Sequence, residues 1–203
     1  MTVTFERPFN QKIRIAGLRL SALALLPVLA LSASSWDALG ETLLHTAGIL
    51  CVVAAVLGRF WSILYIGGRK NRTVMQDGPY SLCRHPLYLF STAGAVGFGL
   101  MLGSLILTAL FGGIVFTILS LTAAREEGFL RHSFGAQYDN YARRVPRMLP
   151  ALGQFRTPVA VTFDTGTLAR NTADALVFLG LIPLAEMTNW LHAAHVLPSF
   201  LMP

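Results

Sequence analysis

The stretch PLYLFSTAGAVGFGLMLGSLILTALFGGIVFTILSLTAA occupies residues 86–124 and carries no charged side chain. A helix crosses a bilayer in roughly 20 residues, so this run is too long for one crossing. Gly103-Ser104 lies near its middle, and the run is expected to be a tight hairpin of two helices. Three further apolar stretches lie outside it. Residues 42–66 have His45 and Arg59 near their two ends, residues 15–34 are interrupted only by Arg19, and residues 175–197 close the chain. About five crossings result. The first is read as a retained helix and not a secretory signal, because no small-residue cleavage site precedes Trp36.

Composition points the same way. Hydrophobic residues make up 54% of the 203 and charged residues 13%, with a mean hydropathy of +0.57. A soluble domain of this size needs more polar surface. The expected fold class is an all-α membrane protein, with a helical hairpin and one cytoplasmic interfacial helix. It forms a single membrane domain. Residues 1–66 supply two helices, 67–150 a core with the hairpin, and 151–203 a linker and the last helix. The net charge of +6 matches anionic headgroups and the inside bias of basic loops, not nucleic acid. Cys51 and Cys83 form neither a disulfide framework nor a metal quartet, and no metal site is expected.

Basic residues fix the orientation. Arg7, Lys12, Arg14 and Arg19 precede or begin the first span. Arg69, Lys70, Arg72 and Arg84 separate the second from the third, and Arg125, Arg131, Arg143, Arg144, Arg147, Arg156 and Arg170 separate the fourth from the fifth. The alternate loops have none. The amino terminus is therefore expected in the cytoplasm and the carboxyl terminus on the opposite side. Arg59 is expected to snorkel toward the basic end of its helix.

Both polar segments, residues 67–85 and 125–174, then face the cytoplasm. In the first, Asp77-Gly78-Pro79 is a turn signal. Pro86 suits the first turn of the third span, which puts Arg84 and His85 at a helix mouth able to receive a carboxylate or phosphate. An interfacial anchor of Arg, His and Tyr is the plainer alternative. The second segment opens Arg125-Glu126-Glu127, read as the carboxyl end of the fourth span. Acids there oppose the helix dipole, and point to a ligand's cationic or hydroxyl groups unless the neighbouring arginines simply neutralise them. Phe134, Tyr138 and Tyr141 recur at helical spacing as an interfacial helix, expected to close over the site without touching ligand. Arg143, Arg144 and Arg147 are expected at headgroups, with a substrate anion as the sharper alternative. Glu186 in mid-membrane needs a protein, polar or water partner.

Gly78-Pro79-Tyr80, Arg84-His85-Pro86-Leu87-Tyr88, Glu126-Glu127, Phe134-Gly135, Tyr138, Tyr141 and Arg144-Val145-Pro146 occur in an order that resembles the isoprenylcysteine carboxyl methyltransferase superfamily. That group includes phospholipid N-methyltransferases. The resemblance spans roughly residues 65–150 and rests on order and spacing together. It implies a cytoplasm-facing pocket for S-adenosylmethionine. Arg72, Thr73, Val74, Met75 and Tyr80 match one cofactor-contacting run. Arg84, His85, Pro86, Leu87 and Tyr88 match the next, and Glu126 and Glu127 match the acids, Glu127 being the one that holds the cofactor. The family arginine that engages a substrate carboxylate has Arg125 as its nearest counterpart, with Ala123 on a strict count. Phe90 stands where the family has a small residue, and is expected to narrow a lipid-side opening.

The resemblance implies methyl transfer from S-adenosylmethionine to a lipophilic acceptor entering from the bilayer, among membrane lipids. No dedicated base is evident, which favours an acceptor already anionic or a neutral amine. Two rival readings fit the same architecture. One is a membrane NADPH-dependent reductase of sterol or enone type. The other is a non-enzymatic scaffold or transporter.

Overall fold

The computed structural model describes residues 11–68, 73–196 and 200–202. Arg72 lies outside these residues. Helix α1 (Gln11–Leu31) leads through a short strand β1 (Ser32–Ser34) into α2 (Ala38–Ile66). A single turn α3 (Pro79–Leu82) precedes the hairpin α4 (Pro86–Met101) and α5 (Leu105–Phe134). Then come α6 (Ala136–Arg144), α7 (Thr165–Leu176), a 3-10 stretch (Val177–Gly180), α8 (Leu181–Ala193) and a last strand β2 (Phe200–Met202).

Helices α1, α2, α5 and the run Thr165–Ala193 are long and apolar enough to cross a membrane, and Pro86–Met101 is a shorter apolar helix. The five expected crossings are all present as helices. Asp37 caps α2 by accepting from Gly40 N at 3.0 Å, and Ser104 caps α5 by accepting from Leu107 N at 3.2 Å. Each side chain satisfies one of the orphan donors of a helix start.

Helices α2 and α4 form the centre of the bundle. A Cβ placed on Gly48 would lie 2.6 Å from Gly97 O, and one on Gly97 would lie 2.7 Å from Gly48 O. Small residues let two backbones meet inside a bilayer, where packing rather than hydrophobicity holds helices together. Phe90 takes part in this same contact. Its ring sits against Gly58, 2.2 Å from where a Cβ would be. It fills a helix–helix gap and does not narrow a lipid-side opening. Beyond the centre, Val52, Phe98, Met101, Leu107 and Ala185 form an apolar cluster near the hairpin turn.

Several boundaries differ from the sequence expectation. Helix α5 runs past Glu126-Glu127 to Phe134, so the two acids lie inside a helix and not at its carboxyl end. About 20 residues from Leu105 suffice to cross the hydrocarbon, and the remaining turns hold polar residues because they project beyond it. The expected interfacial helix is broken at Gly135, whose φ of 50° is left-handed and favours glycine. Phe134 belongs to α5, while Tyr138 and Tyr141 belong to α6, which folds back. The last span begins at Thr165 and is interrupted by the 3-10 stretch. Strands β1 and β2 pair in parallel, with Ser32 opposite Phe200 and Ser34 opposite Met202, a contact the sequence did not announce.

Candidate active site

The hairpin sets up the site by a difference in length. From one turn, α4 extends 16 residues and α5 extends 30. At 1.5 Å per residue the amino-terminal end of α4 is recessed beside the overhanging end of α5. Helix α6 covers the recess from above. The Tyr141 hydroxyl donates to Tyr80 O at 2.7 Å, which ties α6 to α3.

The segment after α6 then clamps the loop before α4. Arg84 N donates to Pro146 O at 2.9 Å and His85 N to Arg147 O at 3.2 Å. Ala151 N donates to Leu82 O at 2.9 Å, and Gly78 N to Arg156 O at 2.7 Å. Ser81 Oγ accepts from Arg156 N at 2.9 Å while donating to Gly78 O at 2.7 Å. Arg144 adds a bond to Gln76 Oε1 at 2.9 Å. These two segments are separated by the whole hairpin in sequence, yet they form one rigid wall.

Glu127 is fully buried at the centre of that wall. Arg147 Nε donates to Oε1 at 3.0 Å and Nη2 to Oε2 at 2.9 Å. His85 Nε2 lies 3.3 Å from Oε1, and Arg84 Nη1 lies 3.2 Å from it. The Arg84 contact is an ion pair only, because its geometry forms no hydrogen bond. At the mouth of α4, Arg84 and His85 thus face a carboxylate of the protein itself. The Glu127 hydrogen bonds raise the Arg147 guanidinium pKa above its ordinary value, against a smaller opposing effect of burial. Arg147, expected at lipid headgroups, is instead the bidentate partner of a buried acid.

Glu126 has a different role. Its Oε1 accepts from the Tyr88 hydroxyl at 2.8 Å, and Oε2 lies 3.8 Å from His85 Nδ1. The Tyr88 and His85 rings stack with 3° between planes. Arg14 of α1 donates to the Tyr88 oxygen at 3.1 Å. This relay lines a cavity of about 790 Å³.

The cavity also takes in Thr73, Val74, Met75, Tyr80, Arg84, His85, Pro86, Leu87 and Tyr88, all named from sequence. Glu127 and Arg125 are not in its lining. Glu127 lies behind the lining residues His85 and Arg84, and Arg125 is exposed on α5. Tyr138 and Tyr141, expected to stand clear of ligand, line the cavity as well. Arg14 and Arg59, expected only as an orienting charge and a snorkelling residue, also line the cavity, as does Phe178, which no motif marks.

Polar atoms of residues lining this space that lack hydrogen-bond partners include the Tyr80 and Tyr138 hydroxyls and Arg84 Nε. Burial pushes Tyr80 well above its ordinary pKa. Burial first, and then the charge of Glu127, push Tyr138 up to about 12, with Arg84 working against both. Neutral buried hydroxyls without partners are costly, and these three atoms could each serve a polar ligand. Deeper in, the lining turns apolar, with Leu25 and Leu29 of α1, Phe98 and Phe111 of the hairpin, and Leu181 of α8. The fifth span therefore contributes to the cavity wall. Its Glu186 lies 2.8 Å from His45 Nε2, a polar neighbour whose geometry forms no hydrogen bond and which makes an ion pair when His45 is protonated.

Residues 36–137 match the family model described as phospholipid methyltransferase. The cobalt-zinc-cadmium resistance protein CzcN of Cupriavidus metallidurans is 39% identical over 191 residues, covering 93% of this chain and 88% of the relative. The nickel-cobalt-cadmium resistance protein NccN of Alcaligenes xylosoxydans xylosoxydans is 35% identical, covering 96% and 91%. A protein-S-isoprenylcysteine O-methyltransferase of Schizosaccharomyces pombe is 31% identical over 83 residues, covering 41% and 35%. No solved structure matches. The matched core runs from just before α2 to Gln137 in the first turn of α6, and so contains the hairpin, the two glutamates and the loop that carries Tyr80. The chain belongs to the phospholipid methyltransferase family, within the superfamily that also holds the isoprenylcysteine carboxyl methyltransferases.

Proposed function

We propose that this protein transfers a methyl group from S-adenosylmethionine to a lipophilic acceptor that reaches the site from the bilayer. The acceptor is an isoprenylcysteine-type carboxylate or a lipid headgroup amine. The observation that carries the reading is one cavity with two chemistries. Its outer end holds unpartnered Tyr80, Tyr138 and Arg84 atoms beside Glu126, and its inner end is apolar between α1 and α8.

These residues fit the cofactor. Tyr80, Tyr138 and Arg84 Nε can bond its carboxylate and ribose hydroxyls, Glu126 its ammonium group, and residues 73–75 can flank its adenine. S-adenosylmethionine supplies, when bound, a methyl group on a sulfonium centre, a leaving group that needs no protonation. The remaining work of the protein is orientation and exclusion of water. His85 is held by Glu127 on one nitrogen and faces Glu126 with the other, which makes it a fixed element of the wall. Helix α6 roofs the polar end, and α1 with α8 wall the apolar end.

Two relatives are named for metal resistance. Among the described residues no three His, Cys, Asp or Glu side chains converge to hold a metal ion. A part for this protein in metal resistance is therefore read as acting through its methylated product. The test is to feed labelled S-adenosylmethionine and a membrane lipid extract to the purified protein. Label entering an organic-soluble species supports the reading, and label remaining entirely aqueous with every extract overturns it.

A further inference from the structure

Arg59 lies on α2, seven residues before that helix ends at Ile66. By helix rise it is ~10 Å below the end, within reach of snorkelling. It does not snorkel. Its Nη1 donates to Ser91 Oγ at 2.6 Å, its Cζ lies 5.0 Å from the Phe178 ring centroid, and it lines the cavity. Its Nε is buried without a hydrogen-bond partner. Asp174 also lines the cavity and attracts Arg59 at longer range, but no carboxylate comes within 4.0 Å of Arg59 among the described residues.

The surrounding geometry fixes that cation in place. Ser91 Oγ donates to Leu87 O at 2.7 Å, which leaves its lone pairs to accept from Arg59. Phe178 comes from the 3-10 stretch in the fifth span and stacks a ring face on the guanidinium. Ser91 stands three residues beyond Tyr88, the residue that holds Arg14. Positions i and i+3 share a helix face, so Arg14 and Arg59 are attached to neighbouring points of α4. The cavity therefore passes from Tyr80 and Glu126 to two arginines and then to Phe98, Phe111 and Leu29.

A guanidinium is costly inside a bilayer unless something requires it there. One aimed into a cavity with a free donor, and with no carboxylate within 4.0 Å, is a receptor for an anion. We propose that Arg59, supported by Arg14, is the specificity-determining residue that selects an acceptor bearing an acidic group on an apolar tail. This deepens the methyltransferase reading and rests on it, since it takes the apolar end of the cavity as the acceptor's. Of the two acceptors named above it favours the acid over the amine.

Four probes with one tail separate the headgroups: oleate, monooleyl phosphate, oleylamine and oleyl alcohol. Their binding to the full-length protein in neutral detergent is measured by titration calorimetry, alongside S-adenosylhomocysteine. The expected result is that oleate, monooleyl phosphate or both bind at least tenfold more tightly than the alcohol and the amine. Which of the two acids leads identifies a carboxylate or a phosphate source. Arg59→Gln should bring the acids to within about threefold of the alcohol and leave S-adenosylhomocysteine affinity within twofold, while Arg59→Lys keeps part of the preference. If the Gln variant does not fold, the wild-type ranking and the Lys variant decide. Acids binding no better than the alcohol to the wild type overturn the proposal, as does an undiminished preference in Arg59→Gln. Failure of S-adenosylhomocysteine to bind, with the acid preference intact, would instead sink the methyltransferase reading.

Discussion

Arg147 and Glu127 meet in a two-pronged pair, Nε to Oε1 at 3.0 Å and Nη2 to Oε2 at 2.9 Å. The arginine comes from the segment after α6 and the acid from the last third of α5. Glu127 is wholly buried whereas the Arg147 side chain is 41% exposed. The pair is therefore the bolt that holds the 145–157 segment against the hairpin. Because Glu127 does not line the cavity, its effect on ligand is indirect.

Replacing Glu127 by Gln should then be chiefly a stability lesion. Removing one partner of a buried pair typically costs about 3–5 kcal/mol, and here it leaves Arg84, His85 and Arg147 uncompensated. Thermal unfolding in detergent should show a clear fall in Tm. Arg147→Lys keeps the charge but loses the fork, and its exposure makes the loss smaller. A Tm unchanged in Glu127→Gln would contradict the bolt.

Glu126→Gln should behave in the opposite way. Glu126 faces the cavity and receives only Tyr88 at hydrogen-bond distance. The Tm without ligand should stay within a few degrees. S-adenosylhomocysteine should bind about tenfold more weakly, the loss of one charge-assisted bond of ~1.5 kcal/mol. Calorimetry on the two glutamate variants side by side separates the roles.

Tyr80→Phe and Tyr138→Phe each delete a buried hydroxyl that has no partner. Without ligand the variants should be as stable as the parent or more so, because an unsatisfied polar group is removed. With ligand each should lose about fivefold in affinity, roughly 1 kcal/mol for a neutral hydrogen bond. A destabilised ligand-free Tyr138→Phe would reveal a partner inside the protein.

Burial pushes the Cys83 thiol up from 9.0 to about 11, against a smaller opposing hydrogen bond from the His85 backbone. The folded state thus favours the neutral thiol. Its contribution to stability is fully present below pH 9 and is lost as pH rises through about 11. At pH 8 maleimide should label Cys83 slowly in the folded protein and rapidly after denaturation. Rapid labelling of the folded protein would mean that the 145–157 clamp opens readily.

His45 and Glu186 join α2 to α8 at 2.8 Å. His45→Ala leaves an acid without its partner in the apolar region, so it should lower Tm more than the double change to His45→Ala with Glu186→Gln does. Equal losses in the single and double variants would show that the pair contributes nothing.

Much of this fold is legible in the sequence because a bilayer imposes a single rule: about 20 apolar residues per helix. That rule finds all five crossings and the turn at Gly103. It does not find helix ends that leave the membrane. Helix α5 continues through Arg125-Glu126-Glu127 because helical propensity survives outside the hydrocarbon, where hydropathy no longer reports. The turn at Asp77-Gly78-Pro79 and the helix start at Pro86 are readable as local signals, whereas residues 73–75 are marked only by the family resemblance. Arg147 and Phe178 are marked by neither. Arg147 reaches its partner across α6, and Phe178 reaches Arg59 across most of the chain. Nothing in their neighbours along the sequence marks them. Arg59 was noticed and misassigned, since charge position on a helix gives depth but not facing. The two glutamates were found as a pair, and only the fold divides them into one that lines the cavity and one that braces it.

The central claim is that the polar end of the cavity is built for S-adenosylmethionine. Titration calorimetry of the purified full-length protein with S-adenosylhomocysteine, and separately with NADPH, tests it most directly. One S-adenosylhomocysteine per chain should bind saturably, more weakly in Glu126→Gln and in Tyr138→Phe, and NADPH should not bind. Saturable NADPH binding with no heat from S-adenosylhomocysteine would contradict it.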